Sequence, residues 1–203
     1  MKTVLVLTLI TSLVQIVGFV IYDLQAFKKM SKPNVASWAI WSGITVLNFT
    51  SYRSMSGDWM VSLLPTVSSM FCILTFVVAI AKGGRFSKLD VFDKSALVLG
   101  MIAILSWYIL KSATYANLIV QGGVIIGFVP TWRNAHKERP LAWFIWTSAY
   151  ALGTILIAMR WTGQWENLAY PVICFFAHLA VGIIAARVEY LHNMQLDLNG
   201  GGQ

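Results

Sequence analysis

The stretch GFVPTWRNAHKERPLAWFIW, from Gly127 to Trp146, leaves one apolar run, turns through Arg133, Lys137 and Arg139, and enters a second apolar run at Pro140. A looser copy, GFVIYDLQAFKKMSKPNVASWAIW, runs from Gly18 to Trp41. Both open on Gly-Phe-Val, turn through lysine or arginine, pass a proline and reach Trp-x-Ile-Trp. Two apolar runs joined by a short basic turn read as a helical hairpin in a membrane, and writing it twice reads as an internal repeat.

Composition agrees with the membrane reading. Of 203 residues 58% are hydrophobic and 11% charged, and the mean hydropathy is +0.70. A water-soluble domain carries roughly 25% charged residues, so this chain has too few to cover a solvated surface. The net charge of +7 does not mark a nucleic-acid binder, because the basic residues lie in connections between apolar runs, as membrane orientation requires. Cys72 and Cys174 fall inside apolar runs with no metal-ligand or disulfide spacing. No metal and no cofactor is expected.

A spanning helix needs about 20 mostly apolar residues. Seven stretches approach that: Thr3–Phe27, Val35–Tyr52, Trp59–Ala81, Asp93–Leu110, Ala116–Trp132, Pro140–Met159 and Leu168–Tyr190. The fold expected is all-α and polytopic, with seven transmembrane helices. Lys2, Arg53, Lys111 and Arg160 fall on one side, and the remainder of the 15 lysines and arginines on the other. The basic side stays in the cytoplasm, which predicts an inner (plasma) membrane protein with its N-terminus outside and its C-terminus inside.

The repeat extends further. Gly57, Trp59 and Pro65 match Gly163, Trp165 and Pro171 at one constant offset, and Trp38, Ile40 and Trp41 match Trp143, Ile145 and Trp146. Helices one to three therefore recur as five to seven, and a single-span linker gives both copies the same direction. The division expected is 1–81 for the first three-helix repeat, 82–115 for the linker helix and its loops, 116–190 for the second repeat, and 191–203 for a flexible cytoplasmic tail.

This plan resembles the SWEET, PnuC and PQ-loop transporter clan, and Gly127-Phe128-Val129-Pro130-Thr131 is similar to a PQ-loop with threonine in place of glutamine. The resemblance implies two parallel three-helix repeats, no enzymatic activity, and a carrier working by alternating access.

Polar groups in hydrocarbon are costly and tend to face a bundle interior or a water-filled route. Counting from helix ends puts Gln15, Ser68, Ser69, Cys72, Gln121, Tyr150 and His178 near mid-depth, with Asn48 further out. Pro171, Cys174, His178, Gly182 and Ala185 form one stripe, and Pro65, Ser69, Cys72 and Ala79 its counterpart. Two such stripes facing one axis would line a cavity; equally, small residues let helices pack closely without one. His178 reads either as an interhelical packing group or as a solute contact that titrates. Trp41 and Trp146, the deeper members of two tryptophan pairs, are candidate faces of a clamp on a flat ring. Trp59, Trp132, Trp161 and Trp165 read as an interfacial belt. The substrate-binding candidates are thus His178, Gln121, Gln15, Asn48, Cys72, Ser69, Tyr150, Trp41 and Trp146. Pro65 and Pro171 are candidate hinges. Asp23 and Arg133, with Pro130, are candidate gate residues, the charged pair closing the inner side. With no carboxylate deeper than Asp23, the expected solute is neutral.

The function expected is transport of a small neutral polar solute, sugar or nucleoside-like. The alternatives are a proton-coupled amino-acid carrier of PQ-loop type and a structural or partner-binding membrane protein. The partners expected are the lipid bilayer and the solute, with no nucleic acid; a homo-oligomer stays open. A retinal protein would need a mid-helix lysine, which the seventh helix lacks, and no His-Glu-x-x-His or Gly-x-Ser-x-Gly motif points to an enzyme.

Overall fold

A computed structural model describes residues 2–31, 34–82 and 88–200, with side chains to residue 195. Lys32, Pro33, Arg85 and most of the KGGRFSKLD connection lie outside the described residues, as do 201–203. The described chain is helical, without a strand: α1 (Lys2–Phe27), α2 (Val35–Ser56), α3 (Trp59–Ala81), α4 (Val91–Leu110), α5 (Ala113–Asn134), α6 (Pro140–Met159) and α7 (Glu166–Gly200), with a 3₁₀ turn at Ala135–Lys137.

Four helices start where the sequence supplies a cap. Asn34 accepts from the backbone N–H of Ala36 and Ser37, Asp58 from Met60, and Ser112 from Tyr115, while Asp90 and Asp93 form a reciprocal capping box. Pro140 opens α6, where its missing N–H costs nothing. Gly57 ends α2 with φ +64°, a conformation that other residues adopt only with strain. The stretch read as a frayed tail is helical as far as Gly200. No proline interrupts it after Pro171, and no glycine after Gly182 until Gly200 itself.

Six helices, α1 and α3 to α7, are long and apolar enough to cross a membrane. That is one fewer than expected. The shortfall is α2, whose 22 residues carry Ser37, Ser42, Thr45, Asn48, Thr50, Ser51 and Arg53. Its hydroxyls bond back to their own helix: Ser42 to the Trp38 carbonyl, Thr45 to Trp41, Thr50 to Val46 and Ser51 to Leu47, all at 2.7–3.0 Å. Polarity that lowers its hydropathy is thereby spent within the helix.

The surface is inverted relative to a water-soluble protein. Leu9, Leu13, Val17, Val20, Met101, Ile104 and Leu105 are exposed, while Gln15, Asn48, Asn117 and Gln121 are buried. Hydrocarbon as the outer solvent explains both halves of that pattern.

The packing order follows from which helices touch. α3 packs on both α1 and α2, and α7 on both α5 and α6. The α1 and α2 backbones stand apart and meet through Phe19 and Tyr22 against Trp38, as α5 and α6 do through Phe128 against Trp143. Between these groups α1 lies along α6 and α2 along α5, and α4 rides outside on α5 and α2. Each of the two long cross-contacts is seated on a glycine. Trp146 of α6 fills the notch at Gly18 of α1, its ring atoms 2.5–3.2 Å from where a Cβ would stand. Trp41 of α2 rests at Gly127 of α5, 3.4 Å from the equivalent point.

These distances predict unequal outcomes. Gly18→Ala forces a fully buried indole to move, and overpacking of that kind costs about 1–3 kcal/mol. Gly127→Ala is expected to cost about 0–1 kcal/mol, since 3.4 Å is near ordinary contact. Thermal unfolding of the two purified variants checks the order.

Candidate functional site

A cavity of about 690 Å³ enters the bundle from the end that carries the α1–α2, α3–α4 and α5–α6 connections, the basic end. Met30, Asn34, Lys88, Asp90, Lys137 and Glu138 stand at its mouth, and Ser68, Tyr150 and Tyr170 at its floor. Between them the wall is largely aromatic: Phe19 and Tyr22 from α1, Trp38 and Trp41 from α2, Phe128 from α5, Trp143 and Trp146 from α6.

The floor is a hydroxyl–amide cluster built from four helices. Gln15 of α1 donates through Nε2 to Ser68 Oγ of α3 at 2.9 Å and to Tyr150 OH of α6 at 3.2 Å. Tyr170 OH of α7 donates to Ser68 Oγ at 3.1 Å, and Ser68 Oγ bonds the Leu64 carbonyl at 3.0 Å. A second cluster ties α2 to α5. Asn48 Oδ1 accepts from Gln121 Nε2 at 2.7 Å and from Asn117 Nδ2 at 3.1 Å, and Asn117 also donates to Ser51 Oγ. Gln15 Oε1 and Gln121 Oε1 are buried without a partner.

His178 hangs from α7 into the cavity, packed by Phe128, Trp143, Trp146 and Tyr150 with ring centroids 4.8–5.6 Å away. Its Nδ1 lies 2.7 Å from the Cys174 carbonyl. A carbonyl only accepts, so Nδ1 carries the proton and Nε2 is the acceptor left for a guest. The Trp143 and Trp146 indole N–H groups are buried and unbonded, so free donors stand close to that free acceptor.

At the opposite end the bundle is closed by contacts between elements far apart in sequence. Arg160, at the end of α6, pairs with Asp58, the cap of α3. Tyr52 of α2, fully buried, donates to the Asn167 carbonyl of α7 at 2.8 Å. That carbonyl is available because Pro171, four residues on, has no N–H to give it.

The expected site residues divide by place. His178, Asn48, Cys72, Tyr150, Trp41 and Trp146 line the cavity, as does Pro130. Gln15 and Gln121 stand behind the wall and position Ser68, Tyr150 and Asn48. Ser69 is buried away from the cavity, and Ser68 takes its place. Pro65 and Pro171 lie inside continuous helices. Asp23 and Arg133 are not paired in this conformation. Arg133 lies over the Phe92 ring at 4.6 Å, and Asp23 Oδ1 is buried beside Thr75 without a hydrogen-bond partner. Trp146 and Trp41 are each seated on a glycine, and Trp143 and Trp146 meet edge-on at 81°. Trp132, expected in the belt, instead donates to the Ala177 carbonyl at 3.0 Å.

Glu138 escaped the sequence reading because it sits in a basic turn, where a carboxylate reads as solvated. Its Oε2 is buried without a hydrogen-bond partner, and the polar groups around the carboxyl are those of Ser31, Trp143 and Tyr22. Burial pushes its pKa up from 4.5 to about 7, against the lowering effect of those neighbours. Glu138 thus adds a carboxyl to the mouth of the cavity, with Asp90 and Asp93.

Fold and site together define an all-α membrane protein with a polar-floored aromatic cavity open at one end. No family model, curated protein or solved structure matches the chain.

Glu138 makes stability depend on pH. Between pH 4.5 and about 7 the folded chain holds a proton that the unfolded chain has released, so stability falls as pH rises through that window. Glu138→Gln is expected to melt higher than the wild type at pH 8, by up to about 3 kcal/mol in stability, and to lose that advantage by pH 4.5. Melting curves across this range check it. Asn48→Leu should cost about 1–3 kcal/mol at every pH, since it strands the Gln121 and Asn117 amides.

Proposed function

We propose that this chain is a carrier that moves a small neutral polar metabolite, sugar-like or nucleoside-like, across a membrane. In this reading α1–α3 and α5–α7 are two like-oriented repeats, joined by α4, that rock about the site between them. The basic connections stay on the cytoplasmic side of the inner membrane, so the cavity is in its inward-open form.

The observation that carries the reading is the opposition of the two ends: an open aromatic cavity at one, crossing contacts at the other. Arg160–Asp58 and Tyr52–Asn167 both join the first three helices to the last three, which is where an outer gate has to act. Packing order supports the repeat, since exchanging α1, α2 and α3 for α5, α6 and α7 turns the α1–α6 contact into the α5–α2 contact. Both of those contacts seat a tryptophan on a glycine of the Gly-Phe-Val triplet.

The wall suits such a solute. Indole and phenol faces pack against the C–H face of a sugar or the plane of a base. His178 Nε2, Asn48 and the indole N–H groups supply acceptor and donor contacts, and a site built to pair hydroxyls rejects solutes that lack them.

Purified protein in liposomes is expected to equilibrate a radiolabelled sugar or nucleoside. His178→Ala should reduce that uptake about tenfold or more, as expected for loss of one buried hydrogen bond. Arg160→Ala, which opens a half-exposed ion pair worth about 1 kcal/mol, should shift the population several-fold toward the outward-open form, read by reagent access to Cys72 from the outer side. Failure of all neutral polar metabolites to cross would remove the carrier reading in favour of a structural or partner-binding role.

A further inference from the structure

The mouth of the cavity holds a group that the transport reading does not use. Glu138 lies between the 3₁₀ turn and Pro140, partly exposed, with one carboxyl oxygen buried and the group beside Tyr22 of α1. Three polar atoms there have unmet capacity at once: Glu138 Oε2, Ser31 Oγ and Trp143 Nε1 are all buried and unbonded. Two of the three are donors, and the third belongs to a group that, ionised, only accepts. The phenol of Tyr22, buried beside the same carboxyl, is a further donor.

Two of the cations nearby are already engaged, while Lys88 stands at the mouth with Asp90 and Asp93. Lys137 Nζ donates to Asn134 Oδ1 at 2.8 Å, and Arg139 pairs with Glu189 of α7. His136 is exposed, with Nδ1 at the Arg133 carbonyl. From α1 the titratable group facing Glu138 is Tyr22, and Asp23 lies near the same phenol. In the turn after α1, Lys28 and Lys29 are exposed. From α6 only Trp143 faces it, and α7 offers Glu189, taken by Arg139, and exposed Arg187.

We propose that the Glu138 carboxyl is a proton-binding site coupled to the cavity mouth: it holds a proton while the mouth is open and gives it up when Ser31, Trp143 and Tyr22 close onto the carboxylate. The direction follows from the donor count. In the open form one carboxyl oxygen is buried without a bond and Ser31 Oγ and Trp143 Nε1 stand short of bonding geometry, so burial outweighs the partial lowering by these neighbours and the neutral acid is favoured. In the closed form three donors converge on it, which favours the carboxylate. Closure therefore releases a proton, and a rise in pH through neutrality shifts the equilibrium toward the closed mouth, tenfold for each unit by which the two pKa values differ. The coupling rests on the carrier reading only for its purpose; the linkage between proton and mouth stands without any solute.

Cys72 and Cys174 are the two cysteines of the chain, and both line the cavity. Their modification by a methanethiosulfonate with a fixed quaternary charge, added to purified protein, reads the opening of the mouth. Dividing the wild-type rate by that of Glu138→Gln at each pH cancels the ionisation of the thiols themselves. The ratio is expected to fall about fivefold or more between pH 6 and pH 8.5. Ser31→Ala, measured the same way, should flatten the fall by removing one donor from the closed form, and supplies the readout if Glu138→Gln does not fold. A level ratio across this range overturns the proposal, as does a pH dependence abolished by Asp23→Asn, which would put the proton on Asp23. A falling ratio in a protein that moves no solute in liposomes keeps the proton site and removes the carrier; a level ratio in a protein that does move solute has the opposite meaning.

Discussion

Every polar side chain inside this bundle has to be satisfied by the bundle itself, because hydrocarbon offers no partner. That demand shapes the rest. Gln15, Ser68, Tyr150 and Tyr170 come from four different helices and meet at one floor, and Asn48, Ser51, Asn117 and Gln121 lock α2 to α5. Such networks are worth having only where they are nearly complete, which is why two leftover acceptors, Gln15 Oε1 and Gln121 Oε1, stand out behind the cavity wall. The clusters fix which helices are neighbours, and the cavity is the space they enclose.

Glycine and tryptophan provide the apolar half of the same joint. At Gly18 the absence of a side chain lets the Trp146 indole lie against the α1 backbone, and Trp41 uses Gly127 in a similar way. Each tryptophan is thus both a structural wedge and part of the wall. In the proposed carrier, ligand contacts would therefore fall to the groups with spare bonding capacity, His178 Nε2 and the indole N–H groups. The two ends of the cavity follow opposite physics. The far end is tied by an ion pair and a tyrosine bond to a proline-freed carbonyl, while the mouth holds a carboxyl oxygen and two donors that are buried without bonds.

Much of the fold was legible before any coordinates. Helix limits at Trp59–Ala81 and Pro140–Met159 coincide with those expected, because Asp58 and Pro140 are local start signals. His178, Cys72, Asn48 and Tyr150 were legible as inward-facing, since polar groups at mid-depth have few other places to go. Asp23 and Arg133 were matched by depth for a closed inner side; with the mouth open Arg133 lies over the Phe92 ring, a contact that depth alone does not foretell. Ser68 and Ser69 differ by about 100° around α3, an angle too small for pattern reading to decide between them. Glu138 and the Asp58–Arg160 pair were hidden for another reason: both lie in connections, where composition carries no hydropathy signal.

By itself the sequence determined the helical class, the membrane solvent, the basic side and the twice-written hairpin, all properties of local chemistry and period that need no knowledge of neighbours. The tertiary structure alone decided that Trp146 seats on Gly18, that α2 meets α5, that one end of the cavity is tied shut, and that a glutamate in a basic turn has a carboxyl oxygen buried. Those outcomes depend on how helices distant in the chain rotate against one another. Rotation is set by the sum of many side-chain contacts across an interface, and no single stretch of sequence contains both sides of one.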